Sequence, residues 1–281
     1  MSAQSITPEL RRWIVEQAQA GLAPEQVLQA MRGSGWDEAV ASQALEETLE
    51  GFVQARSLNL PPASPVPAPD LQGAPPTLWA GDREVSILLS AQLPRLVVFG
   101  GLLSDEECDA MRAAAASRLA RSETVAAAAD GSEINAARTS DGMFFERGES
   151  ELCRRIEARI AHLLNWPVEN GEGLQVLRYR PGAEYLPHYD YFDPRHASTP
   201  AILKRGGQRV ATLVIYLNTP RGGGATIFPD VKLEVAPIKG NAVFFSYDRP
   251  HPMTLSLHGG APVLDGEKWV ATKWLRAGVF E

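Results

Sequence analysis

The chain has 281 residues, 44% hydrophobic and 22% charged, which is ordinary for a soluble globular protein and long enough for a large domain with a small one. Its 27 basic residues against 34 acidic ones leave a net charge of −7, so neither a nucleic-acid nor an anionic-membrane partner is expected. No apolar run approaches a spanning helix and "MSAQSITPELRRW" lacks a signal-peptide core; the two cysteines, Cys108 and Cys153, fit no thiolate-site spacing, so a cytoplasmic protein with reduced thiols is expected.

Residues 1–55 carry the punctuation of three short helices. Thr7-Pro8 supplies a cap and a first-turn proline, and Gly21 ends that helix. Ala23-Pro24 opens a second helix, which Gly33 to Gly35 stops, and Asp37 caps a third, "DEAVASQALEETLEGF". Trp13, Ile14, Val27, Leu28, Met31, Trp36, Val40, Leu45 and Leu49 are the expected small core. The pattern, with its "SGW" turn, is similar to a ubiquitin-associated-like bundle, whose partner the sequence does not name. Residues 56–81 hold seven prolines between Pro61 and Pro76, and this segment is expected as an extended linker.

Residues 82–281 form the second expected domain. "SDEECDAMRAAAASRLARS", capped by Ser104, and "ESELCRRIEARIAHLLNW" have helical spacing. Short apolar runs then follow, including "LQVLRYR", "RVATLVIYLN", "ATIFP", "NAVFFSY" and "KWVATKWLR", each bounded by turn residues. The expected fold class is mainly β with flanking helices. Gly222 to Gly224 reads as a tight hairpin turn, because no helix follows it to make a phosphate loop. Residues 126–140, small and polar, are expected as a surface loop or a mobile lid.

The chemistry lies in "YLPHYDYF". On a strand, residues two apart share a face, so His188 and Asp190 would project an imidazole and a carboxylate into one space. Of the other histidines, His162 fits a helix pattern and His196 a turn, which leaves His251 and His258 downstream. Two histidines and one carboxylate on a rigid sheet make a facial set for a divalent metal with open positions. In "EKWVATKWL", Lys268, Val270, Thr272 and Trp274 share a face. A lysine inside an apolar sheet is costly unless it meets an anion or snorkels out at a strand end. A bound dicarboxylate would supply the anion.

"LQVLRYRPGAEYLPHYDYF", "GGGATIFP" and "SLHGGAPVLDGEKWVATKWL" together resemble the prolyl 4-hydroxylase branch of the Fe(II)/2-oxoglutarate dioxygenases, over roughly residues 93–280. The resemblance implies a double-stranded β-helix, or jelly-roll, with His188, Asp190 and His258 as catalytic iron ligands and His251 as a loop residue. It implies Lys268 as partner of the distal carboxylate of 2-oxoglutarate, with Tyr179 and Thr226 lining the cosubstrate pocket. Tyr185, Arg209 and Trp274 match positions beside the peptidyl substrate. The implied cofactors are Fe(II), 2-oxoglutarate, dioxygen and ascorbate. The implied partner is a proline-containing peptide or protein, and the implied reaction couples its hydroxylation to conversion of 2-oxoglutarate to succinate and carbon dioxide. Ala225 stands where the family commonly has an acid, and Ala261 where cysteine is common. The loop "DPRHASTPAILKRGGQ" is longer than usual, so substrate identity is the least constrained expectation. The competing readings are the same fold acting on a free amino acid or small metabolite, a jelly-roll binding protein without catalysis, and a zinc hydrolase. The intact ligand set with Lys268 argues against the second, and the want of a separate general base against the third.

Overall fold

A computed structural model describes residues 6–58, 60–121, 124–125, 132–133 and 139–281. The chain divides into two compact units, Met1–Pro61 and Pro62–Glu281.

The first unit packs three helices, α1 (Pro8–Gln19), α2 (Pro24–Gly33) and α3 (Glu38–Leu58). Their starts follow the capping chemistry. Leu10 N–H donates to Thr7 Oγ1, and Ala39 and Val40 N–H donate to Asp37 Oδ1. Ile14, Val27, Met31, Ala41, Ala44 and Leu45 are buried together, with Trp13, Leu28, Trp36 and Leu49 packed around them. Val40 is only half-buried, because the small Ala41 and Ala44 face the other helices instead. The third helix also runs past Phe52, where its sequence pattern was expected to end.

In the second unit the strands before the first histidine are β1 (Thr77–Trp79), β2 (Glu84–Ala91), β3 (Arg95–Gly100), β4 (Ala120–Arg121), β5 (Thr124–Val125), β6 (Ser132–Glu133), β7 (Asp141–Phe145) and β8 (Leu174–Tyr179). Next come β9 (Tyr185–His188), β10 (Arg209–Tyr216), β11 (Gly222–Gly223), β12 (Thr226–Phe228) and β13 (Leu233–Val235). The last are β14 (Ala242–Ser246), β15 (His258–Gly260), β16 (Val263–Asp265) and β17 (Lys268–Arg276). Helices α4 (Asp105–Ala116) and α5 (Glu151–Leu164) flank them, and a short α6 (Thr199–Leu203) sits in the long loop after β9.

A nine-stranded sheet has the order β1-β2-β3-β14-β10-β17-β8-β7-β4, and a four-stranded sheet the order β13-β12-β15-β9. Alternation along the strands gives the large sheet two apolar faces. Ala211, Leu213 and Ile215 of β10 turn toward Met111 of α4 and Ile156 and Ile160 of α5. On the opposite face, Tyr179, Tyr216, Phe245 and Val270 pack with Phe228 and Val235 of the small sheet. Each such large apolar side chain contributes roughly 1.5–3 kcal/mol when buried. Two antiparallel sheets closed over one apolar core, with helices outside, make the jelly-roll.

Three details differ from expectation. The proline-rich segment is not a free linker up to residue 81. Ser64 N–H donates to Asp248 O, Ala68 N–H to Leu164 O, and Asn165 Nδ2 to Ala68 O, while Thr77–Trp79 pairs with β2. Proline favours extended backbone, and its neighbours keep polar groups that can bond to a surface alongside. Strands β2 and β3 also precede α4 and join the large sheet. Finally, Gly222 and Gly223 do not turn a hairpin but pair with Asp265 and Val263 of β16. Gly223 has φ +72°, and a Cβ there would lie 2.4 Å from Pro262 O, so only glycine fits. The expected lid at 126–140 falls largely outside the described residues.

Candidate active site

Strands β9 and β15 are antiparallel neighbours, and His188 pairs directly with His258. Asp190 follows just beyond the end of β9, and the three side chains converge. Asp190 Oδ1 lies 3.6 Å from His188 Nε2, and Oδ2 lies 3.4 Å from His258 Nε2. Among the described residues this trio is the group of potential metal ligands, with one donor atom from each within 4.8 Å of the others.

The backbone sets both imidazoles. His188 Nδ1 is 2.9 Å from Leu186 O, and His258 Nδ1 is 3.0 Å from Ser256 O. A carbonyl only accepts, so each Nδ1 carries the proton and each Nε2 presents its lone pair to the shared space. Tyr185 stacks on the His188 ring at 3.7 Å, and Phe245 lies 4.5 Å from the His258 ring, which fixes both ring planes. Burial, aided by the facing His258, lowers the His188 pKa. Burial opposes the Asp190 charge, but His258 and His188 outweigh it and hold the carboxyl well below its ordinary value. A neutral imidazole and an ionised carboxylate are the forms that bind a metal.

The same cleft is lined by Tyr179, Thr226, Lys268, Thr272 and Trp274. Lys268 is 4% exposed and has no carboxylate partner among the described residues. Its Nζ sits 5.5 Å from the Tyr179 ring and 5.9 Å from the Tyr216 ring, and burial pushes its pKa down to about 8. It does not snorkel out at the strand end. Tyr216 OH donates to Thr226 Oγ1 at 2.8 Å.

Of the residues expected beside substrate, Tyr185 and Trp274 line the cleft, and the buried Trp274 Nε1 has no hydrogen-bond acceptor among the described residues. Arg209 does not line it. Its Nε and Nη2 donate to Glu172 at 2.7 and 2.9 Å, and its guanidinium stacks 4.0 Å over Trp274. The ion pair turns Arg209 into a support for Trp274 rather than a free cation. His251 caps the turn Pro252–Thr254, accepting from Met253 N–H through Nδ1, and stands outside the ligand trio. His162 lies in the last turn of α5, and His196 is exposed in the loop after β9. Thr212, Tyr247 and Glu172 were invisible as site residues in the sequence, since each reads as an ordinary strand or loop residue.

The segment 174–276 matches the family model for the 2OG-Fe(II) oxygenase superfamily. Prolyl 4-hydroxylase 5 of Arabidopsis thaliana is 38% identical over 222 residues, which cover 72% of this chain and 74% of that protein. Prolyl 4-hydroxylase 1 of the same plant is 38% identical over 227 residues, covering 70% and 77% respectively. Among solved structures, the viral collagen prolyl hydroxylase of Paramecium Bursaria Chlorella virus-1, in its 2OG complex, is similar with a TM-score of 0.51 and 34% identity, covering 64% of this chain and 94% of that one. This chain belongs to the prolyl 4-hydroxylase family of Fe(II)- and 2-oxoglutarate-dependent oxygenases.

Proposed function

We propose that the protein hydroxylates a prolyl residue of a peptide or protein at its 4-position, with Fe(II), dioxygen and 2-oxoglutarate. The observation that carries this reading is Lys268, a buried cation without a carboxylate partner among the described residues, facing the same cleft as His188, Asp190 and His258. The donor set fits Fe(II), because two imidazoles and one carboxylate leave open positions for a chelating cosubstrate. The iron supplies, when bound, dioxygen activation coupled to oxidative decarboxylation of 2-oxoglutarate to succinate and carbon dioxide.

The protein supplies placement. His188 Nε2, His258 Nε2 and an Asp190 oxygen would hold the metal. Lys268 Nζ would receive the distal carboxylate of 2-oxoglutarate, which would compensate its buried charge. Tyr179 and Tyr216 flank Lys268 and Thr226 lines the same cleft, so the three would surround that carboxylate, while Leu177, Val214 and Val270 keep the cleft wall apolar and limit water. Tyr185 and Trp274 present aromatic faces suited to a pyrrolidine ring, and the Trp274 indole N–H, which has no acceptor among the described residues, suits a peptide carbonyl. The prolyl substrate is further supported by what the plant relatives are named for. Mass spectrometry of proline-containing peptides incubated with the enzyme, Fe(II) and 2-oxoglutarate tests the reading. Hydroxyproline should form with stoichiometric succinate, and succinate without a modified prolyl residue would redirect the search to another substrate.

A further inference from the structure

Behind the ligand trio lies a polar chain that the mechanism above does not use. Thr212 Oγ1 is 2.7 Å from Asp190 Oδ2 and 3.0 Å from Tyr247 OH. Thr212 is fully buried, Tyr247 is 1% exposed and Asp190 is 7% exposed, so neither bond has water to replace it. The proton positions follow from the acceptors. The Asp190 carboxylate can only accept, so Thr212 spends its one proton on Oδ2. The Thr212 oxygen must then accept from Tyr247. Tyr247 keeps that proton, because burial and the nearby Asp190 charge raise its pKa well above the ordinary value. The chain therefore runs one way, from Tyr247 through Thr212 to a single carboxylate oxygen. Among the described residues no hydroxyl donates to Oδ1, which lies 3.6 Å from His188 Nε2.

We infer that Thr212 and Tyr247 are positioning residues that make Asp190 a one-oxygen metal ligand. By donating to Oδ2, Thr212 occupies that oxygen, leaves Oδ1 as the carboxylate oxygen for the metal and would keep Oδ2 from taking a position that the cosubstrate needs. The inference rests on the metal-binding reading of the trio. It assigns function to a threonine whose strand position reads as ordinary β packing.

The test uses the full-length protein with Mn(II) as the probe. Mn(II) affinity is read from the electron paramagnetic resonance of free ion, and carboxylate ligation from Mn(II)-minus-apo difference infrared spectra. The split between asymmetric and symmetric carboxylate stretches is wide for one-oxygen and narrow for two-oxygen ligation. Thr212→Val keeps the shape and removes the hydroxyl. It should weaken Mn(II) binding roughly ten- to a hundredfold and narrow the split. Thr212→Ser restores the donor and should restore both readouts. Tyr247→Phe leaves Thr212 in place but removes its orienting donor, and should weaken Mn(II) about two- to tenfold. Should Thr212→Val fail to fold, Thr212→Ser and Tyr247→Phe carry the comparison, with binding near wild type for the first and weakened for the second. Wild-type affinity and an unchanged split in Thr212→Val, or in Tyr247→Phe if the valine variant does not fold, would overturn the inference. Absence of Mn(II) binding by the wild-type protein itself would instead overturn the metal-site reading beneath it.

Discussion

His188 and His258 stand directly opposite each other on neighbouring antiparallel strands, their ring centroids 4.4 Å apart, with Asp190 oxygens within 3.6 Å of both Nε2 atoms. The register of β9 against β15 brings together residues seventy positions apart in the chain, and the loop after β9 returns the carboxylate to the same point. A shift of one residue in that pairing would send an imidazole to the other face.

His188→Ala or His258→Ala should abolish metal binding and turnover, because two remaining donors hold a divalent ion poorly. His251→Ala should keep most of both, since His251 only caps a turn. Mn(II) titration of the three variants checks this. Loss of binding in His251→Ala alone would place the distal ligand elsewhere.

Lys268→Ala should raise the 2-oxoglutarate concentration needed for turnover far more than it weakens the metal. A hydrogen bond to a charged group contributes about 1.5–3 kcal/mol, or roughly ten- to over a hundredfold in affinity. Parallel titrations of cosubstrate and Mn(II) separate the two effects. An unchanged cosubstrate requirement would assign the anion to another cation.

The pH dependence of cosubstrate binding has a defined sign. Burial lowers the Lys268 pKa to about 8 in the free protein, and a bound carboxylate favours the protonated form. Binding above pH 8 must therefore take up a proton. Affinity for 2-oxoglutarate should be full below about pH 8 and fall about tenfold per unit above it, until the pKa of the bound state is reached. Calorimetry at pH 7 and pH 9 on Mn(II)-loaded protein without oxygen checks this. Equal affinities would show that Lys268 does not gain its charge on binding.

A chain beginning at Pro62 should melt as the second unit does in the full-length protein, while one beginning at Asp82 should be less stable. The longer form keeps the Ala68–Leu164 bond and the β1–β2 pairing, which the shorter one loses. Each kilocalorie lost lowers the melting temperature by about 2–4 °C in a unit of this size. Calorimetric melts of the two forms decide, and equal midpoints would return residues 62–81 to the status of a spacer.

Much of the site was legible because its chemistry is local. His188 and Asp190 are two apart, and Lys268, Val270, Thr272 and Trp274 alternate along one strand, so period-two reading placed them on shared faces. The cleft is indeed lined by all four of the latter. What the sequence did not carry was pairing across distance. Arg209 was expected beside the substrate by resemblance, and nothing in the sequence pairs it with Glu172, just as nothing in "RVATLVIYLN" marks Thr212 as a partner of Asp190. The proline-rich segment misled for a related reason. Composition says that it builds no core of its own, but not that it lies along another surface.

The most direct test of the central claim is oxygen-dependent turnover of a proline-containing peptide by the purified protein with Fe(II) and 2-oxoglutarate, followed by mass spectrometry together with succinate release. The expected result is one oxygen atom gained at a prolyl residue for each succinate formed, lost in His188→Ala and recovered in Lys268→Ala only at high 2-oxoglutarate. Metal-independent turnover, or the same turnover in His188→Ala, would contradict it.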